Sequence, residues 1–251
     1  MEFVFVLLNA GNGFMGFYGF PGMFYRMDPT YSLVVIGAVI CMIASANVSR
    51  SFSKYSRYGC KRGTTGAQAA EKILHDAGIY DVQIRHISGD LTDNYNPGNK
   101  TLNLSDSVYG SSSIAAVGVA AHECGHAIQH NVGYIPIKIR SAIVPVVNLG
   151  SKLSWPIIIL GVILGSFNML NIGILLFALT LVFQIVTLPV EFNASRRAVR
   201  ILGETGILGE QELGYTRKVL GAAALTYVAG AASAILQLLR LILLFGGRRD
   251  D

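Results

Sequence analysis

Charge is scarce in this 251-residue chain: 14% of its residues are Asp, Glu, Lys or Arg, against 52% hydrophobic. A soluble domain ordinarily carries about a quarter charged residues, so an ordinary water-soluble fold is excluded and membrane spans are expected. A mean hydropathy of +0.49 agrees. Cysteine is sparse as well. Cys41, Cys60 and Cys124 show neither C-x-x-C spacing nor a disulfide framework, which excludes a small cystine-stapled scaffold. Acid is missing altogether between Glu123 and Glu191. No repeat relates the two halves, and Arg240 is nearly alone as a charge within an apolar run, which speaks against a transporter. The net charge of +5 and pI near 9.2 are compatible with phosphate binding. The basic residues, however, cluster beside apolar runs, the placement of membrane topology signals, so no nucleic-acid partner is expected.

What is present divides along the chain. Residues 1–29 are rich in Gly and Phe but carry no basic leader or cleavage signal, so an interfacial or loosely ordered segment is expected rather than a signal peptide. Asp28-Pro29-Thr30 is a start signal for a span over residues 30–48, near the minimum crossing length. Arg50, Lys54, Arg57, Lys61 and Arg62 follow without an acid, which puts residues 49–142 in the cytosol. Within them, residues 63–78 read as a helix capped by Thr64 or Thr65, with Ala69, Ala70, Ile73, Leu74 and Ala77 on one face. Residues 82–87 alternate like a strand, and residues 91–104 read as strand, turn and strand. The last of these, Thr101-Leu102-Asn103-Leu104, is the expected edge for a peptide added as a further strand.

Residues 143–190 supply two spans joined at Phe167-Asn168-Met169, with Pro145 and Pro156 expected to kink the first. Residues 191–218 return to the cytosol. Residues 219–245 form a last apolar helix or hairpin, because a crossing there leaves Arg248 and Arg249 outside, against the charge rule. The expected fold class is a mainly α membrane protein, a multi-pass helical bundle with a small β-hairpin or sheet.

Residues 113–130, SIAAVGVAAHECGHAIQH, hold the chemistry. They contain His122-Glu123-Cys124-Gly125-His126, an H-E-x-x-H match expected by chance about 0.003 times in a chain of this composition. Residues four apart share one helix face. Two imidazoles there converge on one zinc ion, with Glu123 beside a water as general base: the arrangement of peptide-bond hydrolysis. Small residues along the helix (Ala115, Ala116, Gly118, Ala120, Ala121, Gly125) permit close approach of another segment. Catalytic zinc needs a third protein ligand and an open position. His130 lies eight residues, roughly 12 Å, from His122 along the axis, and position 129 is Gln, which breaks the longer three-histidine pattern. The preferred third ligand is Glu191, in Pro189-Val190-Glu191-Phe192-Asn193-Ala194-Ser195-Arg196-Arg197. Glu204, Glu210 and Glu212 read as solvated surface residues. Tyr95, His130 and Arg196 are candidates by residue type for stabilising the oxyanion.

In these motifs the chain resembles the YugP-type neutral zinc metallopeptidases of bacterial membranes. Asp28-Pro29-Thr30-Tyr31, Leu91-Thr92-Asp93-Asn94-Tyr95, residues 120–130, the segment around Glu191 and residues 223–228 carry the likeness. It is more distantly similar to HtpX and the CAAX prenyl proteases. The resemblance implies Zn2+ as cofactor, His122, His126 and Glu191 as ligands, and Glu123 as acid/base. Ser195 stands where the distant relatives carry Asp, leaving Asn193 or Ser195 to orient a ligand. The expected protein is a zinc-dependent endopeptidase of a bacterial plasma membrane, with its active site at the cytosolic face. Its expected partners are the lipid bilayer and membrane-protein or membrane-adjacent peptide substrates; a regulatory membrane partner is unidentified. The alternative is a non-catalytic membrane scaffold or chaperone locked by zinc, which needs a fourth ligand such as Cys124 or His130.

Overall fold

The computed structural model describes residues 28–246, so the expectation for residues 1–27 lies outside the described residues. In chain order come α1 (Tyr31–Tyr55), α2 (Gly66–Asp76), β1 (Gln83–Ile87), β2 (Asn94–Asn96), β3 (Thr101–Ser105) and α3 (Asp106–Tyr109). They are followed by α4 (Ile114–Asn131), α5 (Ile135–Leu164), α6 (Phe167–Glu204) and α7 (Glu210–Phe245). The described residues divide into two compact units, one of residues 44–138 and 188–226, the other of residues 28–43, 139–187 and 227–246.

The first unit is built around α4. Ser113 starts that helix by accepting a hydrogen bond from the Ala116 amide, one of the donors a helix N-terminus leaves over. Nearly every residue of α4 is buried, and its small residues are the reason. A Cβ on Gly118 would lie 2.9 Å from Thr216 Cγ2, and one on Gly125 would lie 2.8 Å from the Ala194 carbonyl oxygen. Backbone therefore packs on backbone where α4 meets α6. Helix α2 packs its buried Ala69, Ala70, Ile73 and Leu74 into the same core, each of the two larger side chains contributing about 1.5–3 kcal/mol. It begins at a full capping box between Thr65 and Gln68 and stops at Gly78, whose φ is +70°. Ala77, expected on the apolar face, is exposed because the helix has already ended there.

The sheet corrects one expectation. Its order is β1-β3-β2, with β1 parallel and β2 antiparallel to β3. Residues 101–104 are therefore central and offer no free edge. Leu102 and Leu104 are buried, and so are Thr101 and Ser105, the two-sided burial of a middle strand. The edge on the α4 side belongs to β2. Glu212 also departs from its expected solvated role. It is 5% exposed, because its carboxylate accepts hydrogen bonds from the Lys61 and Gly209 amides.

The second unit gathers the apolar helices. Four helices, α1, α5, α6 and α7, are long and apolar enough to cross a membrane. The Asp28 carbonyl and carboxylate take the Tyr31 and Thr30 amides where α1 begins. Helices α1 and α7 run antiparallel: Gly37 lies against Ser233, Cys41 Sγ donates to the Ala229 carbonyl, and Arg240 stacks over Tyr31. The last apolar segment is thus one unbroken helix rather than a hairpin. Pro145 and Pro156 both lie inside continuous α5. The turn after α5 falls at Gly165, with φ +64°, so residues 167–169 form the first turn of α6 instead of a connector. Close contacts at Gly161 with Leu170 and at Gly173 with Ile158 bring α5 and α6 together through small residues, the packing that works where lipid removes the hydrophobic drive. Outward lie Ile43, Leu149, Ile163 and Leu175, each more than 60% exposed. Apolar faces of this size are covered by lipid.

Candidate metal centre

His122 and His126 occupy successive turns of α4, and Glu191 comes from α6, where the apolar run ends. Glu191 Oε2 lies 3.3 Å from His122 Nε2 and 3.5 Å from His126 Nε2. One ligand atom from each of the three falls within 4.8 Å of the others. The donor set suits zinc by type: two imidazole nitrogens and a carboxylate oxygen. The two spacings from Glu191 suit zinc by size too, since tetrahedral bonds near 2.1 Å put neighbouring donors roughly 3.4 Å apart. Glu191 is only 2% exposed, a position where a carboxylate needs a cationic partner.

A chain of hydrogen bonds sets the tautomer of His126. Arg197 Nε can only donate, and it does so to Asn193 Oδ1 at 2.8 Å. Asn193 Oδ1 and the Val190 carbonyl both accept from Gln129 Nε2, at 3.0 and 2.8 Å. That orients the Gln129 amide with its oxygen toward His126 Nδ1, 3.0 Å away. Nδ1 therefore carries the proton, and the Nε2 lone pair is left facing Glu191. On His122, Nδ1 meets the Ser195 hydroxyl at 3.1 Å. Both candidate orienting residues of the α6 segment, Asn193 and Ser195, thus engage the histidines, Asn193 through Gln129. The role of Gln129 was missed by sequence reasoning. A glutamine three residues after a histidine on a buried helix was the available signal.

Glu123 lies next to His122 in the chain and is 5% exposed. One carboxylate oxygen accepts the Tyr95 amide of β2 at 3.0 Å. Burial pushes its carboxyl up to about 7, with Asp93 and Glu191 adding to the rise and His122 opposing it. Asp93 is itself raised by burial, while it accepts from the Ser105 amide and hydroxyl. His130 is exposed and stands apart from the three donors; its Nδ1 meets the Tyr95 hydroxyl at 3.0 Å. Arg196 lies on the exposed face of α6. Cys124 is on the opposite side of α4, its thiol donating to the Ala70 carbonyl, and burial raises its pKa. Neither Cys124 nor His130 is a fourth donor, and the described residues offer three.

A multi-helix membrane protein whose buried helix joins two histidines to a distant glutamate is of the zinc metallopeptidase class. Comparison bears this out: residues 30–246 match the family described as "Putative neutral zinc metallopeptidase", and the chain belongs to that family. It is 43% identical over 208 residues to the "Putative membrane protease YugP" of Bacillus subtilis (strain 168), covering 83% of this chain and 92% of that protein. No solved structure matches the chain. Zinc is accordingly the cofactor, and the membrane is its location.

Proposed function

We propose that the chain is an endopeptidase in which His122, His126 and Glu191 hold zinc and Glu123 is the general base. The convergence of three donor groups from α4 and α6, His126 and Glu191 buried and His122 partly so, with Glu123 on the same helix, carries this reading. Bound there, zinc supplies a Lewis acid that lowers the pKa of a water toward about 7 and polarises a carbonyl. The Arg197–Asn193–Gln129 chain holds His126 in the ligating tautomer, and Ser195 steadies His122. Glu123 takes the proton of the attacking water and passes it to the leaving amine. Its raised carboxyl pKa suits a group that must both accept and return a proton near neutral pH. The β2 edge lies beside this carboxylate, through Tyr95. A peptide laid along that edge is bound by backbone groups whatever its side chains. Tyr95 and His130, hydrogen-bonded to each other, are assigned to the oxyanion side of the site.

A zinc-locked scaffold would close the site with a fourth ligand, and the positions of Cys124 and His130 argue against it. Helix α6, at 38 residues and roughly 57 Å, exceeds the hydrocarbon thickness by far. Its polar end, from Glu191 onward, supports a site at the membrane surface acting on membrane proteins or membrane-adjacent peptides. The basic run from Arg50 to Arg62, at and beyond the end of α1, supports a bacterial plasma-membrane topology with that site in the cytosol. Glu123→Gln keeps zinc and loses proteolysis by about a hundredfold or more; retained activity on a peptide reporter refutes the assigned base. A thiol introduced at exposed position 53, by Ser53→Cys, is labelled only from the cytosolic side; labelling from outside intact cells inverts the topology.

A further inference from the structure

Helices α6 and α7 enclose a cleft of about 610 Å³ that the zinc site does not use. It is graded along its length. Where Gly203 packs on Leu213, the two antiparallel helices leave their shared turn. One to two turns further along them lie Arg200 and Arg217, and next Arg196; all three line the cleft and all three are exposed. Val199 and Leu213 lie among the charges and Leu220 lies level with Arg196, and beyond them the lining holds no charge, with Phe192, Gly221 and Ala224. In that direction both helices continue into their membrane-spanning stretches. The lining holds three guanidinium groups and one carboxylate, Glu204, which pairs with Arg200 at 3.7 Å. Among the described residues, Arg196 and Arg217 meet no carboxylate within 4 Å.

From this gradient we infer that the cleft is a binding site for an anionic phospholipid. Its phosphate sits among Arg196, Arg200 and Arg217, and its acyl chain runs along Phe192 and Ala224 toward the bilayer. The order of groups decides for an amphiphile over a free anion: charge lies at the end away from the spans and apolar surface at the end toward them. Guanidinium forks match phosphate oxygens in geometry as well as charge. A zwitterionic lipid offers the same chain without net negative charge, so the three arginines discriminate against it. Ser195, whose hydroxyl meets His122, is on the cleft wall, so the lipid would lie beside the metal centre without entering it. The inference does not depend on proteolytic activity.

The test uses the full-length, zinc-loaded protein in detergent, titrated with dioctanoyl phosphatidylglycerol and with dioctanoyl phosphatidylcholine. Wild type should favour the glycerol lipid by at least tenfold. Arg196→Gln combined with Arg217→Gln should weaken its binding by about 30-fold, at about 1 kcal/mol for each basic group. Gly221 lines the cleft, and a Cβ there meets nothing within 4 Å. Gly221→Phe should therefore fill the cleft without disturbing the helix and remove binding, while zinc content stays at the wild-type level. Arg57→Gln, which removes an exposed boundary charge outside the cleft, should leave binding unchanged. Equal affinity for the two lipids overturns the inference. So does a loss in Arg57→Gln matching the double variant, which marks diffuse surface charge, or unaltered binding in Gly221→Phe. Displacement of the lipid by millimolar inorganic phosphate identifies a free-anion site instead, and overturns the assignment to lipid.

Discussion

Replacing Gln129 by leucine removes one side chain that touches no solvent and no metal, yet it should loosen zinc. Gln129 is 0% exposed and makes three hydrogen bonds: from His126 Nδ1, to the Val190 carbonyl and to Asn193 Oδ1. Leucine nearly conserves its volume, so the cavity cost is small. Asn193 Oδ1 keeps its bond from Arg197. The loss therefore falls on His126. Either its Nδ1 proton stays, buried and unpartnered, at about 1–3 kcal/mol, or the proton moves to Nε2 and abolishes the lone pair that faces Glu191. Both routes weaken zinc by about 10–100-fold. Competition with a chromophoric zinc chelator at neutral pH, on purified protein in detergent, reads this directly. The thermal midpoint of the metal-free form should change far less than zinc affinity does. Unchanged zinc affinity in Gln129→Leu refutes the claim that the Arg197–Asn193–Gln129 chain sets the imidazole.

Two further outcomes test the site. Glu191→Ala should lower zinc occupancy, measured by metal analysis, much more than His130→Ala, because His130 pairs with Tyr95 and not with the donor group; the reverse order rejects Glu191 as a ligand. The pH dependence of the metal-free protein follows from Glu123, whose carboxyl lies at about 7 instead of 4.5 through burial. A folded-state value above the unfolded one means a stabilising contribution that is full below about pH 4.5 and lost as pH rises through about 7. Glutamine at position 123 cannot ionise, so the thermal midpoint of metal-free Glu123→Gln should gain on wild type as pH rises across that window. A constant difference would show that the carboxyl is not perturbed.

The parts legible in the sequence are local or compositional. A threonine cap at position 64 or 65 was legible, and Thr65 fills it, because a hydroxyl and an amide two or three residues on need no distant partner. Three of the four long apolar helices were visible because a span must carry its hydrophobicity in one continuous run, whereas residues 219–245 stayed open between a helix and a hairpin. The stretch without acid between Glu123 and Glu191 pointed to Glu191, which the fold brings to His122 and His126. The strand order was not legible: five residues of alternating pattern do not reveal that β1 will take the far side of β3 and leave the edge to β2. Nor was the burial of Glu212, which depends on two amides at Lys61 and Gly209 that only the folded chain aims at it.

By itself the sequence determined that this is a helical membrane protein with two imidazoles and a carboxylate on one buried helix, since spacing and hydropathy are properties of neighbours. The tertiary structure decided which nitrogen of His126 faces the centre, and which strand edge adjoins Glu123. It also decided that three arginines share a cleft with apolar side chains. Each of these depends on the rotation and register of elements dozens of residues apart. Hydrogen bonds and charge pairs act over only a few ångströms, so they form once α4, α6 and α7 are packed to that tolerance, and the order of residues along the chain does not state it.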